Sequence, residues 1–175
     1  MLKIELDGEV YYYNNGVFTD SSFIEVDVTT MKKLSGLLFV DTDYKNLSKN
    51  ELLKFVTEAK EVAQYQLTKD ACIYGMEKYE DDPFFITRIL PVITSCYRLV
   101  GDPKGAIEIA SKYLNSFKYE SVALLTSLAA AYCDIKDYDN ALKCAKKAYA
   151  KQGGGTGSKT ELSLVFMRIK KEMGE

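Results

Sequence analysis

The sequence predicts a mostly α-helical fold, a stack of antiparallel helix pairs preceded by a small N-terminal antiparallel β-meander. Three observations predict it. The first 19 residues alternate apolar and polar side chains around two glycine turns, helix-start signals recur from residue 47 onward, and one pattern of large and small residues repeats after 35 positions. At 175 residues the chain can bury one sizeable core. Hydrophobic residues make up 47% and charged residues 27%, the usage of a folded chain.

In the opening segment Leu2, Ile4 and Leu6 alternate with Lys3 and Glu5, then Asp7-Gly8 offers a tight turn. Glu9 to Tyr13 is rich in β-formers, Asn14-Asn15-Gly16 is a second turn, and Val17-Phe18-Thr19 follows. Asp-Gly and Asn-Gly tolerate the positive φ of two-residue hairpin turns, which gives a three-stranded meander. Phe23 to Val26 is a candidate fourth extended piece. So small a sheet is marginal alone, so one face is expected to pack on the rest of the chain. Tyr11, Tyr12 and Tyr13 point alternately, and at least one faces solvent or a partner. Thr30 is expected to cap a short helix over Met31 to Leu38, ended by Phe39-Val40-Asp41.

Residues 1–46 thus form the β-meander and a connecting segment, and residues 47–175 the helical part. Ser48-Lys49-Asn50-Glu51 is a capping box, with Leu47 and Leu52 placed for the hydrophobic staple. Asp82-Pro83 starts another helix, and Gly101-Asp102-Pro103 ends one and opens the next. Gly153 to Gly157 reads as a flexible linker. Ser158-Lys159-Thr160-Glu161, a second capping box, opens the last helix.

Leu90, Ile93, Tyr97, Gly101-Asp102 and Ala106 recur 35 residues later as Leu125, Leu128, Tyr132, Lys136-Asp137 and Ala141. Ala129 and Ala148 complete the later unit. This pattern resembles the tetratricopeptide repeat (TPR), a helix–turn–helix of about 34 residues. The resemblance covers Leu47 to the end and implies a right-handed stack of about three repeats, at 48–82, 83–119 and 121–152, with a capping helix at 158–174. Two registers compete for the first repeat. A 35-residue step aligns Ala71 with Ala106 but puts Glu58 at a core leucine position. A 38-residue step aligns Leu52, Phe55, Ala59, Tyr65, Thr68 and Gly75, keeps apolar or small residues wherever helices touch, and is preferred. The extra residues are then expected in the Glu80-Asp81-Asp82 connection. Leu162, Val165, Phe166 and Ile169 give the last helix an apolar stripe, with Arg168, Lys170 and Lys171 on another face.

The chemistry of a catalyst is missing from this inventory. Histidine is absent, which removes Ser-His-Asp and Cys-His arrangements, zinc HExxH sites and any imidazole base. Cys72, Cys96, Cys133 and Cys144 form no CxxC pair and are expected to be reduced core thiols, with Cys133 the most accessible. Gly153 to Gly157 lacks the GK[ST] ending of a phosphate loop, and the run Glu80-Asp81-Asp82 lacks the spaced ligands of a cation loop. No enzyme, cofactor or metal is expected. No apolar run approaches the roughly 18–20 residues of a membrane span. The start, MLKIELDGEV, alternates apolar and charged residues and is not expected to act as a secretory signal, and a cytoplasmic location is expected.

Charge is uneven. Residues 1–82 hold nine lysines against sixteen acidic residues, a balance of −7, while residues 83–175 hold fourteen basic and nine acidic residues, a balance of +5. Lys143, Lys146, Lys147 and Lys151 lie at helical spacing, but no aromatic platform interleaves with them, so nucleic acid is not the expected partner. The resemblance implies a protein-interaction scaffold that binds a protein or peptide, or another copy of itself, on the concave surface lined by first helices. The candidate groove residues it implies are Lys54, Lys60, Arg88, Ser95, Arg98, Thr126, Ser127 and Cys133, with Thr57, Pro91 and Ala130 beside them. Lys54, Lys60, Arg88 and Arg98 are all positive, which favours an acidic partner. The carboxylate clamp by which some relatives hold chaperone tails needs lysine and asparagine where this chain has Pro91 and Ser95, Thr126 and Ala130, and Leu53 and Thr57. An accessory or regulatory subunit docking through its β element is the alternative. Pro91 is expected to kink its helix or mark a late start, freeing the carbonyl of Thr87.

Overall fold

The computed structural model describes residues 1–39, 42–152 and 159–174. The described residues contain a three-stranded antiparallel sheet and eight α-helices. They divide into two compact units, Met1–Gly75 and Met76–Glu175.

In the first unit the strands β1 (Leu2–Leu6), β2 (Glu9–Asn14) and β3 (Val17–Thr19) follow in the order β1-β2-β3, with Ile4 opposite Tyr11 and Tyr13 opposite Phe18. Both expected turns form. Asp7 and Gly8 take φ of 54° and 85°, and Asn15 and Gly16 take 47° and 89°, the left-handed pair that a two-residue hairpin needs. Phe23 to Val26 does not make a fourth strand. Asp20 Oδ1 accepts the backbone N–H groups of Ser22 and Ile24, and Phe23 sits at φ 61°, so the segment folds into a turn. It touches β3 through one bridge, Thr19 to Glu25.

Helix α1 (Val28–Phe39) begins earlier than expected. Asp27, not Thr30, caps it: its Oδ1 accepts the N–H groups of Thr29 and Thr30 at 2.8 and 3.1 Å. Thr30 instead donates its hydroxyl to Asp27, a bond that leads in holding that carboxyl below its usual range. The expected end of this helix at Val40-Asp41 lies outside the described residues. Helix α2 (Lys49–Glu61) opens on the predicted capping box, and α3 (Tyr65–Lys78) follows a three-residue turn. A file of rings joins the layers: Phe18 and Tyr13 at 4.8 Å, Tyr13 and Phe39 at 6.1 Å, Phe39 and Phe55 at 5.5 Å, edge-on beyond the first contact. The Tyr13 hydroxyl donates to Glu58 on α2 at 3.0 Å, tying strand to helix. Of the three adjacent tyrosines, Tyr13 is the buried one.

The second unit is helical. It contains α4 (Pro83–Leu99), α5 (Pro103–Leu114), α6 (Val122–Asp134), α7 (Tyr138–Lys151) and α8 (Lys159–Met173). α4 packs on α5, α6 packs on α4, α5, α7 and α8, and α7 packs on α8. Leu125, Ala129, Cys133, Ala141, Ala145 and Ala148 form a core with Leu162, Val165 and Ile169, so the small residues let α6 and α7 approach while α8 covers their apolar edge. Pro91 lies inside a continuous α4, which removes the late-start reading. The capping box expected at Ser158 and the glycine linker 153–157 lie outside the described residues.

The turn inside each helix pair is the same object three times. Ala63, Gly101 and Lys136 are left-handed at φ 63°, 89° and 62°. Across them Gln64 N–H donates to Ala59 O, Asp102 N–H to Tyr97 O and Asp137 N–H to Tyr132 O, each at 2.9 Å. The inner bonds, Ala63 to Lys60, Gly101 to Arg98 and Lys136 to Cys133, are 3.0 to 3.1 Å. This is the paired closure of a Schellman turn. The three left-handed residues are 38 and 35 positions apart, the spacing of the preferred register. Thr68, Ala106 and Ala141, equivalent in that register, are all fully buried. The extra residues do not sit in the Glu80–Asp82 connection. That link is only four residues, 79–82, and α4 carries an added N-terminal turn, Pro83 to Ile86.

Candidate functional site

The candidate groove residues fall in both units. In the first, Lys54 is exposed and lies 3.7 Å from Glu58 one turn on, and Lys60 is half-buried near the end of α2. In the second, α4 carries Arg88, Ser95 and Arg98, and α6 carries Thr126, Ser127 and Cys133. Arg88 is exposed and stacks its guanidinium on the Phe84 ring at 5.1 Å. Ser127 is half-buried. Ser95, Thr126 and Cys133 are covered, at 8%, 6% and 1% exposure. Thr126 spends its hydroxyl on the carbonyl of Val122 at 2.8 Å, the back-bond a buried threonine needs within a helix. Cys133 is therefore not the accessible thiol that its helical position suggested. Cys144 is the one cysteine of intermediate exposure, and burial pushes both thiols above their usual range.

What the sequence did not show is where Arg98 goes. Asp134, the last residue of α6, places Oδ2 3.3 Å from Arg98 and Oδ1 2.6 Å from Arg168 of α8. Two guanidiniums therefore converge on one carboxylate, and the cluster keeps one positive charge. The hydrogen bond to Asp134 raises the Arg168 pKa, and the buried Nε of Arg98 has no partner. Arg98 stands 36 residues before Asp134 and Arg168 stands 34 after it, so the signal was one of repeat spacing. It was hidden because Arg168 reads as an ordinary solvated residue on the polar face of its helix.

The lysines of α7 have a similar fate. Lys147 and Lys151 lie 3.7 and 3.1 Å from Glu120, whose side chain is 14% exposed. α7 and α8 also form an open, mostly apolar cleft of about 540 Å³, lined by Tyr149, Leu162, Phe166, Met167 and Lys170. Among the described residues no group of three or more Cys, Asp or Glu is placed to hold a metal ion, and no helix is long and apolar enough to cross a membrane.

The helical architecture has a known counterpart. The crystal structure of the Sgt2 TPR domain from Aspergillus fumigatus superposes with a TM-score of 0.58 at 18% sequence identity, over 73% of this chain and 80% of that one. The fold is thus TPR-like, as the repeat pattern implied. No protein-family model and no curated protein matches the sequence.

Proposed function

We propose that the chain is a non-enzymatic scaffold that binds an acidic segment of a protein or peptide through the first-helix surface of its repeats. The observation that carries this reading is the convergence of Arg98 and Arg168 on Asp134, with exposed Arg88 two to three turns away on the same helix as Arg98. One carboxylate does not neutralise two guanidiniums. The remaining N–H groups offer a partner carboxylate charge-assisted, planar recognition. In the second unit the groove reading takes in Arg88, Ser95, Arg98, Thr126, Ser127 and Cys133, the buried members shaping the surface rather than touching a ligand; in the first it takes in Lys54 and Lys60 of α2. A cytoplasmic setting suits four cysteines that form no disulfide.

Fluorescence anisotropy with a labelled peptide of alternating Glu and Leu, against its Lys and Leu counterpart, tests the reading. The expected result is saturable binding of the acidic peptide alone, weakening as salt rises. Combined Arg88→Glu and Arg98→Gln should reduce affinity tenfold or more with helicity unchanged by circular dichroism. Equal binding of both peptides, or indifference to the substitutions, refutes it.

A specific observation favours the second reading, docking of the β element on a partner. Phe23, Ile24 and Val28 are each about two-thirds exposed in one short segment, and Phe23 stacks on Tyr12 at 5.3 Å. Deleting residues 1–46 and repeating the anisotropy separates the two, since peptide binding that depends on the arginines survives only if the helices supply the surface.

A further inference from the structure

The two edges of the small sheet differ. The β3 edge is closed by the chain itself: Val26 N–H donates to Phe18 O at 3.1 Å, and Glu25 bridges to Thr19. The outer edge of β1 meets no strand among the described residues. A strand edge presents a row of backbone donors and acceptors, a template for another strand.

The side chains of β1 specify which strand. Leu2, Ile4 and Leu6 are opposite Tyr13, Tyr11 and Glu9 and share the face of buried Tyr13, whereas Lys3 and Glu5 lie on the other face. Leu2 is 49% exposed on its apolar face. Lys3 and Glu5 hold each other at 2.9 Å, with 56% and 70% of their side chains exposed. Protected edges are blunted by lysines, prolines or inward charges. Here the two edge charges are opposite in sign and symmetric about Ile4.

That symmetry selects one pairing. Antiparallel association of two copies about Ile4 sets Lys3 of each against Glu5 of the other, Leu2 against Leu6, and Ile4 against Ile4. Centring on Lys3 or Glu5 instead sets like charges directly opposite, and a one-residue slip turns the apolar row outward. Parallel in-register pairing brings lysine beside lysine. We infer that two copies of the chain associate through β1, antiparallel about Ile4, joining two three-stranded sheets into one of six strands. The contact is two-fold and self-complementary. Five residues a side fall below the size of a standard interface, so the dimer is weak and forms with rising concentration.

Analytical ultracentrifugation of the full chain between about 10 μM and 1 mM, the range a small interface calls for, reads the association. The expected apparent mass rises from 19.7 kDa toward twice that value. Lys3→Glu alone and Glu5→Lys alone each place like charges opposite twice, and each should weaken association at least tenfold. The double exchange K3E/E5K restores it, and so does an equimolar mixture of the two single variants, which can pair only with each other. Circular dichroism checks that these exposed substitutions leave the fold intact, and the wild-type concentration series decides the matter even where one does not. A monomer at every concentration overturns the inference. So does a dimer indifferent to both single exchanges, which assigns association to another surface.

Discussion

Asp134 and Arg168, 34 positions apart in sequence, meet at 2.6 Å. Through that contact, and the 3.3 Å approach of Arg98, the last residue of α6 fastens α8 and α4 to a shared carboxylate. The three side chains are 23% to 42% exposed, so the cluster is neither dry nor fully screened.

Asp134→Ala should therefore lower the stability of the second unit by about 1 kcal/mol, the upper end for partly exposed pairs. Arg168→Ala should lower it by less, because Asp134 keeps Arg98. Chemical denaturation of the two single variants and the double measures the coupling. Additive losses mean that the ion pairs contribute nothing to holding α8.

The left-handed positions give opposite outcomes for one exchange. Ala63 at φ 63° bears a Cβ where glycine bears none, so Ala63→Gly should raise stability by about 1 kcal/mol. Gly101→Ala, at φ 89°, should lower it by a similar amount. Melting curves of both check the turn geometry. Equal shifts in one direction mean that the two turns are not equivalent.

Acid should weaken three helix caps. Hydrogen bonds from Thr30 hold Asp27, from Ser48 hold Glu51 and from Asn140 hold Asp137 below the usual carboxylate range. A lowered folded pKa gives stability that is present above the ordinary value and lost as pH falls through the lowered one. The melting temperature should then fall between about pH 5 and pH 2, and the combined D27N, E51Q and D137N variant should fall less steeply. Tyr13 works in the other sense. Burial, with Glu58 beside its hydroxyl, raises its pKa, so its contribution is complete below about pH 10 and lost in stronger alkali, and Tyr13→Phe should remove that loss. Thermal melts across pH decide both.

Thiol labelling should follow burial. Cys144 reacts first and slowly in the native protein, while Cys72, Cys96 and Cys133 wait for unfolding. Mass spectrometry of partly labelled protein identifies the site. Early modification of Cys133 contradicts its 1% exposure.

The repeat was legible because close packing writes itself into residue size. Leu125, Leu128, Ala129 and Ala141 are all buried at the positions their spacing assigned. The meander was legible because Asp7-Gly8 and Asn15-Gly16 admit few other conformations. The N-terminus of α1 was misread because Asp27 and Thr30 are both capping residues, and only the geometry says which one accepts the backbone. The candidate groove was legible by position but not by exposure. Helical spacing does not distinguish Ser127, half open, from Thr126 and Cys133, which neighbouring helices cover. Nor could it show Asp134 beneath Arg98, a contact that depends on how successive repeats stack.

Each Schellman turn spans three residues, 62–64, 100–102 and 135–137, while the links between pairs differ, four residues at 79–82 and seven at 115–121. A turn closed by two crossing hydrogen bonds around a left-handed residue admits no added residue without breaking both. The link at 79–82, with Glu80 and Asp81 exposed, is under no such constraint, and lengthening a surface loop costs little. The link at 115–121, by contrast, is held by buried Tyr119 and by Glu120 between Lys147 and Lys151. Insertions and grafted sequences should therefore be accepted at 79–82 and rejected within the pairs. Over evolutionary time the chain can change length at 79–82 while the phase of its packed faces stays locked.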